Sequence, residues 1–397
     1  MSKINYNISA FSGEQKKFFK EMISYVSEHI VDFKFFDNEV EIQLQDEKYL
    51  DIVLKNINQL RDMINSNELK KGQELKIKTI YKNSNKDTIN KEPIFETLIE
   101  QGDVIQIMPG IFAYSGLFKN VYGYFLKKVR EFIKIEFPEH KDIQFPKLYP
   151  LKQFEQGGYF DNFPHHIMFQ SVLRNDINTI NDFSKNGVTD DFLKNIKTPT
   201  SVLKNASCVP VYSLIADSTI LESEGLKSFF VKGKCFRNEG ANITELARLN
   251  EFTMAEFVFI GTDELIGKAI ERSKKLWYFW SDVFNLDCSI ETANDSFFAG
   301  NYNKLKYFQL LGNSKEEFKI LLPHSNTYIA ASSANYHRTH FTKRYNIKSD
   351  QGFSHSSCFA FGIERLAYAL LCQKGIDVSR WDKETLAEIE KYVSIKK

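Results

Sequence analysis

The sequence predicts an α+β fold, an antiparallel β-sheet flanked by helices and preceded by a small α+β unit. Three observations carry that expectation. From about residue 105, short runs with strand alternation, such as SFFVKGKCFR and LNEFTMAEFVFIG, are interleaved with amphipathic helical stretches, as in folds that segregate helices beside a sheet. Near the end, a small-residue strand, SSCFAFGI, runs straight into a helix, ERLAYALLCQKG. The first hundred residues form a self-contained series of helix, hairpin and helix.

Taken in order, residues 1–100 read as an accessory α+β domain. In SGEQKKFFKEMISYVSEHIVDF the apolar positions recur at helical spacing, with Ser12 as N-cap. FKFFDNEVEIQLQ turns at Asp37-Asn38 and alternates as a hairpin does. EKYLDIVLKNINQLRDMI is helical again, and the lysine-rich stretch from Leu69 to Pro93 reads as a solvated strand and linker. The larger domain, residues 105–397, opens on one long amphipathic helix, GLFKNVYGYFLKKVREFIKIEF, which stops at Pro138. An aromatic stretch broken by Pro and Gly follows. Then come strand-like CVPVYSLIA, the two strands quoted above, and the helix TDELIGKAIERSKKLWYFWSDVF.

A net charge of +1 predicts no wholesale attraction to nucleic acid or an anionic membrane. Charged residues at 26% and hydrophobic ones at 43% are ordinary for a soluble globular protein. Five cysteines without a C-x-x-C pair argue against a disulfide framework and for a reducing compartment. The start lacks the features of a signal peptide, and no apolar run approaches the roughly 18 residues of a membrane span. The expected location is cytoplasmic, with no membrane partner.

The chemistry concentrates in GKCFRNEGANITELARLNEFTMAEFVFIG, residues 233–261. Strand alternation puts Arg237 and Glu239 on one face, and Arg248, Asn250, Phe252, Met254 and Glu256 on one face of the return strand. Planar guanidinium groups suit a nucleotide triphosphate. Phe252 lies about 13 Å beyond Arg248 at strand rise, a fitting reach from terminal phosphate to stacked purine. Glu239 suits the purine amino group. Arg365, at a strand-to-helix junction behind Gly362, adds a third cation where free N–H groups already favour an anion. Spacing alone leaves open a surface hairpin with incidental arginines.

Together FRNE, RLNEF and GIERL resemble the signature of the class II aminoacyl-tRNA synthetases, in the family's order. The resemblance implies an antiparallel-sheet catalytic domain over residues 105–397, commonly a homodimer, that makes an aminoacyl-adenylate from amino acid and ATP. It implies that Arg237 holds the α-phosphate and stabilises the transition state. Arg248 and Arg365 would hold the terminal phosphate, Phe252 would stack on adenine, and Glu239 would read its amino group.

A closer resemblance lies in ASCVPVY, NEFTMAEFVFIG, NYHRTHF and HSSCFAFGIERLAYALLCQKGIDVSRW. These are similar to the amino acid:[carrier-protein] ligases, truncated relatives of the atypical zinc-dependent seryl-tRNA synthetases of methanogens. The resemblance implies Zn2+ on Cys208, Glu256 and Cys358, with an open position for the substrate's amino group. It also makes Asn335 a candidate for lining the amino-acid pocket. By spacing alone, 48 and 102 residues apart, those residues form no local zinc motif, and the cysteines read as core. Cys235, Cys288 and Cys372 read as core, and His165, His166, His324, His337 and His340 as hydrogen-bonded structural groups.

Two departures from the family stand out. The acidic residue that holds Mg2+ on the strand before the last motif is replaced near Ala330 or Ile329. The N-terminal unit has no counterpart in the short ligases. The expected function is ATP-dependent activation of a small amino acid (Gly, Ala or Ser) and its transfer to the phosphopantetheine thiol of a carrier protein. The alternatives are aminoacylation of tRNA, with serine, and a non-catalytic paralogue acting as a binding or sensor protein.

Overall fold

The computed structural model describes residues 2–66, 77–84, 88–293 and 314–395. Strand β1 (Lys3–Asn7), helix α1 (Gly13–Met22), strands β2 (Ile30–Phe35) and β3 (Glu39–Leu44) and helix α2 (Leu50–Ser66) build the N-terminal unit. Ser12 caps α1 in a reciprocal capping box with Gln15. The expected hairpin is present, and the strand order is β1-β3-β2. Phe18 and Phe19 of α1 and Val53 and Ile57 of α2 close a core over Val40 and Ile42.

The larger domain is built on an eight-stranded sheet. Its elements, in chain order, begin with β4 (Thr79–Asn83), α3 (Gly116–Glu136), β5 (Lys141–Ile143), α4 (Val209–Leu214), β6 (Lys227–Phe236) and β7 (Glu251–Gly261). They continue with α5 (Asp263–Val283), β8 (Cys288–Thr292), β9 (Lys315–Leu322), β10 (Thr327–Arg338), β11 (His355–Gly362) and α6 (Ile363–Lys374). The order is β4-β8-β9-β10-β11-β7-β6-β5, antiparallel except for the β6–β5 pair. The Thr79–Asn83 stretch, which the sequence groups with the first hundred residues, is the outer edge of this sheet. Thr79, Lys82 and Asn83 suit an edge strand.

Residue alternation sorts the sheet into two faces. Phe257, Phe259, Phe318, Phe359 and Phe361 pack under α3, α5 and α6, with Trp277 and Trp280 fully buried among them. The other face carries Phe252, Met254, Glu256, Cys358 and Ala360 and is covered by irregular chain. With three helices on one face, the site residues fall on the loop-covered face, termed the groove below. CVPVYSLIA, expected as a strand, is mostly the helix α4. Pro210 sits in its first turn, where a missing N–H costs nothing.

Candidate active site

One end of the groove gathers sulfur and carboxylate. Val258 of β7 faces Cys358 of β11, and Glu256 faces Ala360, so Glu256 and Cys358 project from the same face. Cys208 arrives from the loop that caps α4. The ligand atoms of Cys208, Glu256 and Cys358 all lie within 4.8 Å of one another, and all three residues are buried. Glu256 Oε1 accepts from the N–H groups of Ser207 (2.6 Å) and Cys208 (2.9 Å), which ties the loop to the strand. The carboxylate is thereby held by one oxygen and can present the other to a metal.

The surroundings orient the sulfurs. Asn335 Nδ2 donates to Ser333 Oγ at 3.0 Å and to Cys358 Sγ at 3.4 Å. Asn335 therefore does stand at this end of the groove. His337 lies between Tyr212, whose hydroxyl is 3.0 Å from Nδ1, and Cys358, whose sulfur is 3.6 Å from Nε2. If the tyrosine donates to Nδ1, Nε2 carries the proton and faces the sulfur as a donor. His337 is thus a hydrogen-bonded neighbour of the triad, while His340 packs edge-on against Phe341.

Charge is concentrated and dry here. The hydrogen bond to Cys358 pushes the Cys208 thiol far up, and burial and the Glu256 charge add to it. The same bond lowers Cys358, but burial and Glu256 outweigh it and the thiol is raised. Lys204, which the sequence did not single out, is only 2% exposed. Its Nζ is 3.5 Å from the Phe145 carbonyl. Burial lowers its pKa, while Cys235, Glu256 and Cys208 work the other way. Gly233 makes its room, since a Cβ there would stand 2.9 Å from Nζ. Two thiols and a carboxylate within reach of one ion fit zinc chemistry, and a set of three protein ligands is the pattern of a working rather than a structural site.

The other end gathers arginines. Cys235 faces Phe252 across β6 and β7, and Arg237 follows just beyond β6. Its guanidinium lies over the Phe252 ring, 5.1 Å from the centroid, and Nε donates to the Asn205 carbonyl at 3.2 Å. Glu239 and Arg248 do not sit on strands as expected. β6 stops at Phe236 and β7 starts at Glu251, so both lie in the connecting loop. A 3-10 turn, Gly240–Asn242, brings them together in an ion pair of 3.3 Å, with Glu239 buried. Asn250 holds this arrangement from below, its Oδ1 accepting from the Glu239 N–H at 2.9 Å. Arg365, in the first turn of α6, donates to the carbonyls of Ala247 (2.5 Å) and Ala330 (3.0 Å). Burial, with Arg248 as neighbour, pulls its pKa down to about 10. His165 and His166 are kept neutral by burial first and then by nearby cationic groups, Arg237 and Arg248 among them.

Ala330 offers only a carbonyl, already used by Arg365, and its cross-strand neighbour is Lys319. The acids beyond it are engaged: Glu291 with Lys319 at 2.9 Å and Glu317 with Lys315 at 3.1 Å. The residues at 329 and 330 therefore do not build the family's magnesium site.

Residues 195–374 match the family model "tRNA synthetase class II core domain (G, H, P, S and T)". The fold agrees with a solved structure of M. kandleri SerRS in complex with A. aeolicus tRNASec. Its TM-score is 0.71 at 20% identity, over 94% of this chain and 77% of that one. Sheet, signature strands and matched core define a ligase of the class II synthetase superfamily. Among curated proteins, the chain is similar to amino acid–[acyl-carrier-protein] ligase 1 of Bradyrhizobium diazoefficiens, 32% identical over 60% of this chain and 73% of that protein. It is 29% identical to ligase 2 of the same organism, over 69% of this chain and 80% of that protein. The type-2 serine–tRNA ligase of Methanocaldococcus jannaschii is 26% identical over 63% of this chain, which spans half of that relative. The chain belongs to the amino acid–[acyl-carrier-protein] ligase family.

Proposed function

We propose that the protein activates a small amino acid (Gly, Ala or Ser) with ATP and passes the acyl group to the phosphopantetheine thiol of a carrier protein. The observation that carries this reading is the placement of two chemistries at the two ends of β7. Cys208, Glu256 and Cys358 stand at one end and Arg237, Arg248 and Arg365 at the other. Phe252 and Glu256, four residues apart on β7, set a reach of about 13 Å between them.

In the first step a carboxylate oxygen of the amino acid attacks the α-phosphorus, and the bond to the bridging oxygen breaks as pyrophosphate leaves with its electron pair. Arg237 neutralises the charge that builds on the α-phosphate, and Arg248 and Arg365 take the leaving group. Phe252 carries the adenine and Glu239 accepts from its amino group. Zinc, held by Cys208, Glu256 and Cys358, would bind the substrate's amino group at its open position. In the second step the thiol sulfur attacks the acyl carbon, AMP leaves, and the thiol proton goes to solvent. Asn335, beside Cys358, lines the pocket. The buried rings of Tyr159 and Tyr212, packed in one core with Cys208 and Cys358, favour a small side chain.

The names of the two Bradyrhizobium relatives support the carrier as acceptor. So does the surface of the helix Ile177–Asn186, which has no buried residue and shows Ile177 and Ile180 67% and 47% exposed. An apolar patch of mixed charge suits a protein better than RNA. A homodimer is part of the proposal: the hairpin Val104–Met108 with Ile111–Tyr114 exposes Ile105, Ile107 and Met108, and sedimentation would measure the association. No helix among the described residues is long and apolar enough to cross a membrane. The test is a transfer assay with ATP, zinc and the preferred amino acid. A mass increase on the phosphopantetheinylated carrier, and none on the apo carrier or tRNA, is expected. Charged tRNA with an unmodified carrier would overturn the proposal in favour of the synthetase reading.

A further inference from the structure

The N-terminal unit is seated on the loop that carries Glu239 and Arg248. Tyr25 Oη donates to the Asn238 carbonyl at 3.0 Å. Asn242 Nδ2 donates to the Glu21 carbonyl at 3.1 Å and to Ser24 Oγ at 2.6 Å. Between them Gly240 has φ +54°, and a Cβ there would stand 3.3 to 3.4 Å from Ser24, so the backbones meet closely at a position that favours glycine. The Tyr25 ring rests edge-on against His165 and His166, and the His166 carbonyl accepts from the Asn238 N–H at 3.1 Å. Phe163 packs against the cores of both units.

The hydrogen bonds and the close approach at Gly240 converge on five residues, Asn238 to Asn242. The segment has no strand partner of its own, since β6 stops at Phe236. Its chain geometry therefore depends on what touches it. Glu239 lies in its middle and is only 5% exposed. Its carboxylate raises the Tyr25 phenol, second to burial, which places the tyrosine and the Glu239–Arg248 pair in one shared environment. The glutamate's pairing with Arg248 is thus formed under the N-terminal unit.

We infer that the N-terminal unit is a clamp on the nucleotide loop, and that Tyr25 and Asn242 are positioning residues for ATP. The clamp itself stands on the contacts above; its consequence for ATP rests on the proposed function. Each hydrogen bond is worth a few-fold in an equilibrium, so losing the tyrosine's and the asparagine's bonds together weakens ATP by about tenfold.

The test uses the full-length, zinc-loaded chain with Tyr25→Phe, Asn242→Ala and the double substitution. Hydrogen exchange of residues 237–250 is followed by mass spectrometry, ATP binding by calorimetry, and pyrophosphate exchange by initial rates. The expected result is faster exchange in this loop and a rise of about tenfold in Kd and KM for ATP in the double variant. The KM for the amino acid and the melting temperature should stay close to the parent's, a split that general loosening of the fold would not produce. Loop exchange and ATP affinity equal to the parent's would overturn the clamp. Faster loop exchange and weaker ATP binding in a chain that makes no adenylate would uphold the clamp and reject the proposed activity instead.

Discussion

Replacing Glu256 in two ways separates its metal chemistry from its structural work. In Glu256→Gln the amide oxygen can still accept from the Ser207 and Cys208 N–H groups, now bonded at 2.6 and 2.9 Å. The carboxylate ligand is lost. Structural zinc binds with about 10–16 kcal/mol spread over its ligands, so one of three accounts for about 3–5 kcal/mol, or roughly 10²–10⁴-fold in affinity. The metal-free melting temperature should hold, because a charge buried beside two thiols is removed rather than a hydrogen-bond acceptor. In Glu256→Ala both buried N–H groups lose their partner, at about 1–3 kcal/mol each, and the melt should fall by several degrees. Competition with a chelating dye measures the affinity, and calorimetry measures the melt. A glutamine variant that binds zinc as tightly as the parent would refute Glu256 as a ligand. One as unstable as the alanine variant would refute the hydrogen-bond argument.

Zinc affinity should depend steeply on pH. Both thiols are raised, so metal must displace a proton from each, and log affinity should climb about two units per pH unit between about pH 6 and 8. A slope below one would remove a cysteine from the ligand set. Arg237→Ala should slow adenylate formation by about 10²–10³-fold with zinc content and melting temperature unchanged, and a loss of only a few-fold would contradict its role at the α-phosphate. Glu364, buried under the groove, accepts from the Thr253 N–H, and burial raises its carboxyl despite Lys234. A raised acid favours the fold below the ordinary value near about 4.3 and loses that contribution as pH rises through the folded value. Glu364→Gln should therefore melt higher than the parent at pH 8 and no higher at pH 4; a lower melt at pH 8 would contradict this.

Which parts of this site were legible in the sequence follows from how far each contact reaches. Ser12, the hairpin and the strand-to-helix junction at Arg365 are local, set by neighbours a few residues away, and they stand where alternation and capping put them. Cys208, Glu256 and Cys358 are 48 and 102 residues apart, so only resemblance to a family could group them, and the structure does bring them together. Alternation served Phe252 and Glu256, which are inside β7, but not Glu239 and Arg248, which meet through a turn that follows no period. CVPVYSLIA looked like a strand because its residues are β-branched and aromatic, yet packing against the sheet made most of it a helix. Lys204 and Tyr25 gave no signal. One acts through a glycine gap on another strand, and the other through a carbonyl 213 residues away.

The proposed groove activates an amino acid with ATP at a Cys–Glu–Cys zinc centre. ATP–pyrophosphate exchange on zinc-loaded protein, run against each of the twenty amino acids, tests it most directly. Exchange with one or a few small amino acids is expected, lost on removing zinc and regained on restoring it. Folded, zinc-bound protein that exchanges with none of them would contradict it and turn the absence of an acid at Ala330 into the decisive feature, that of a binding protein.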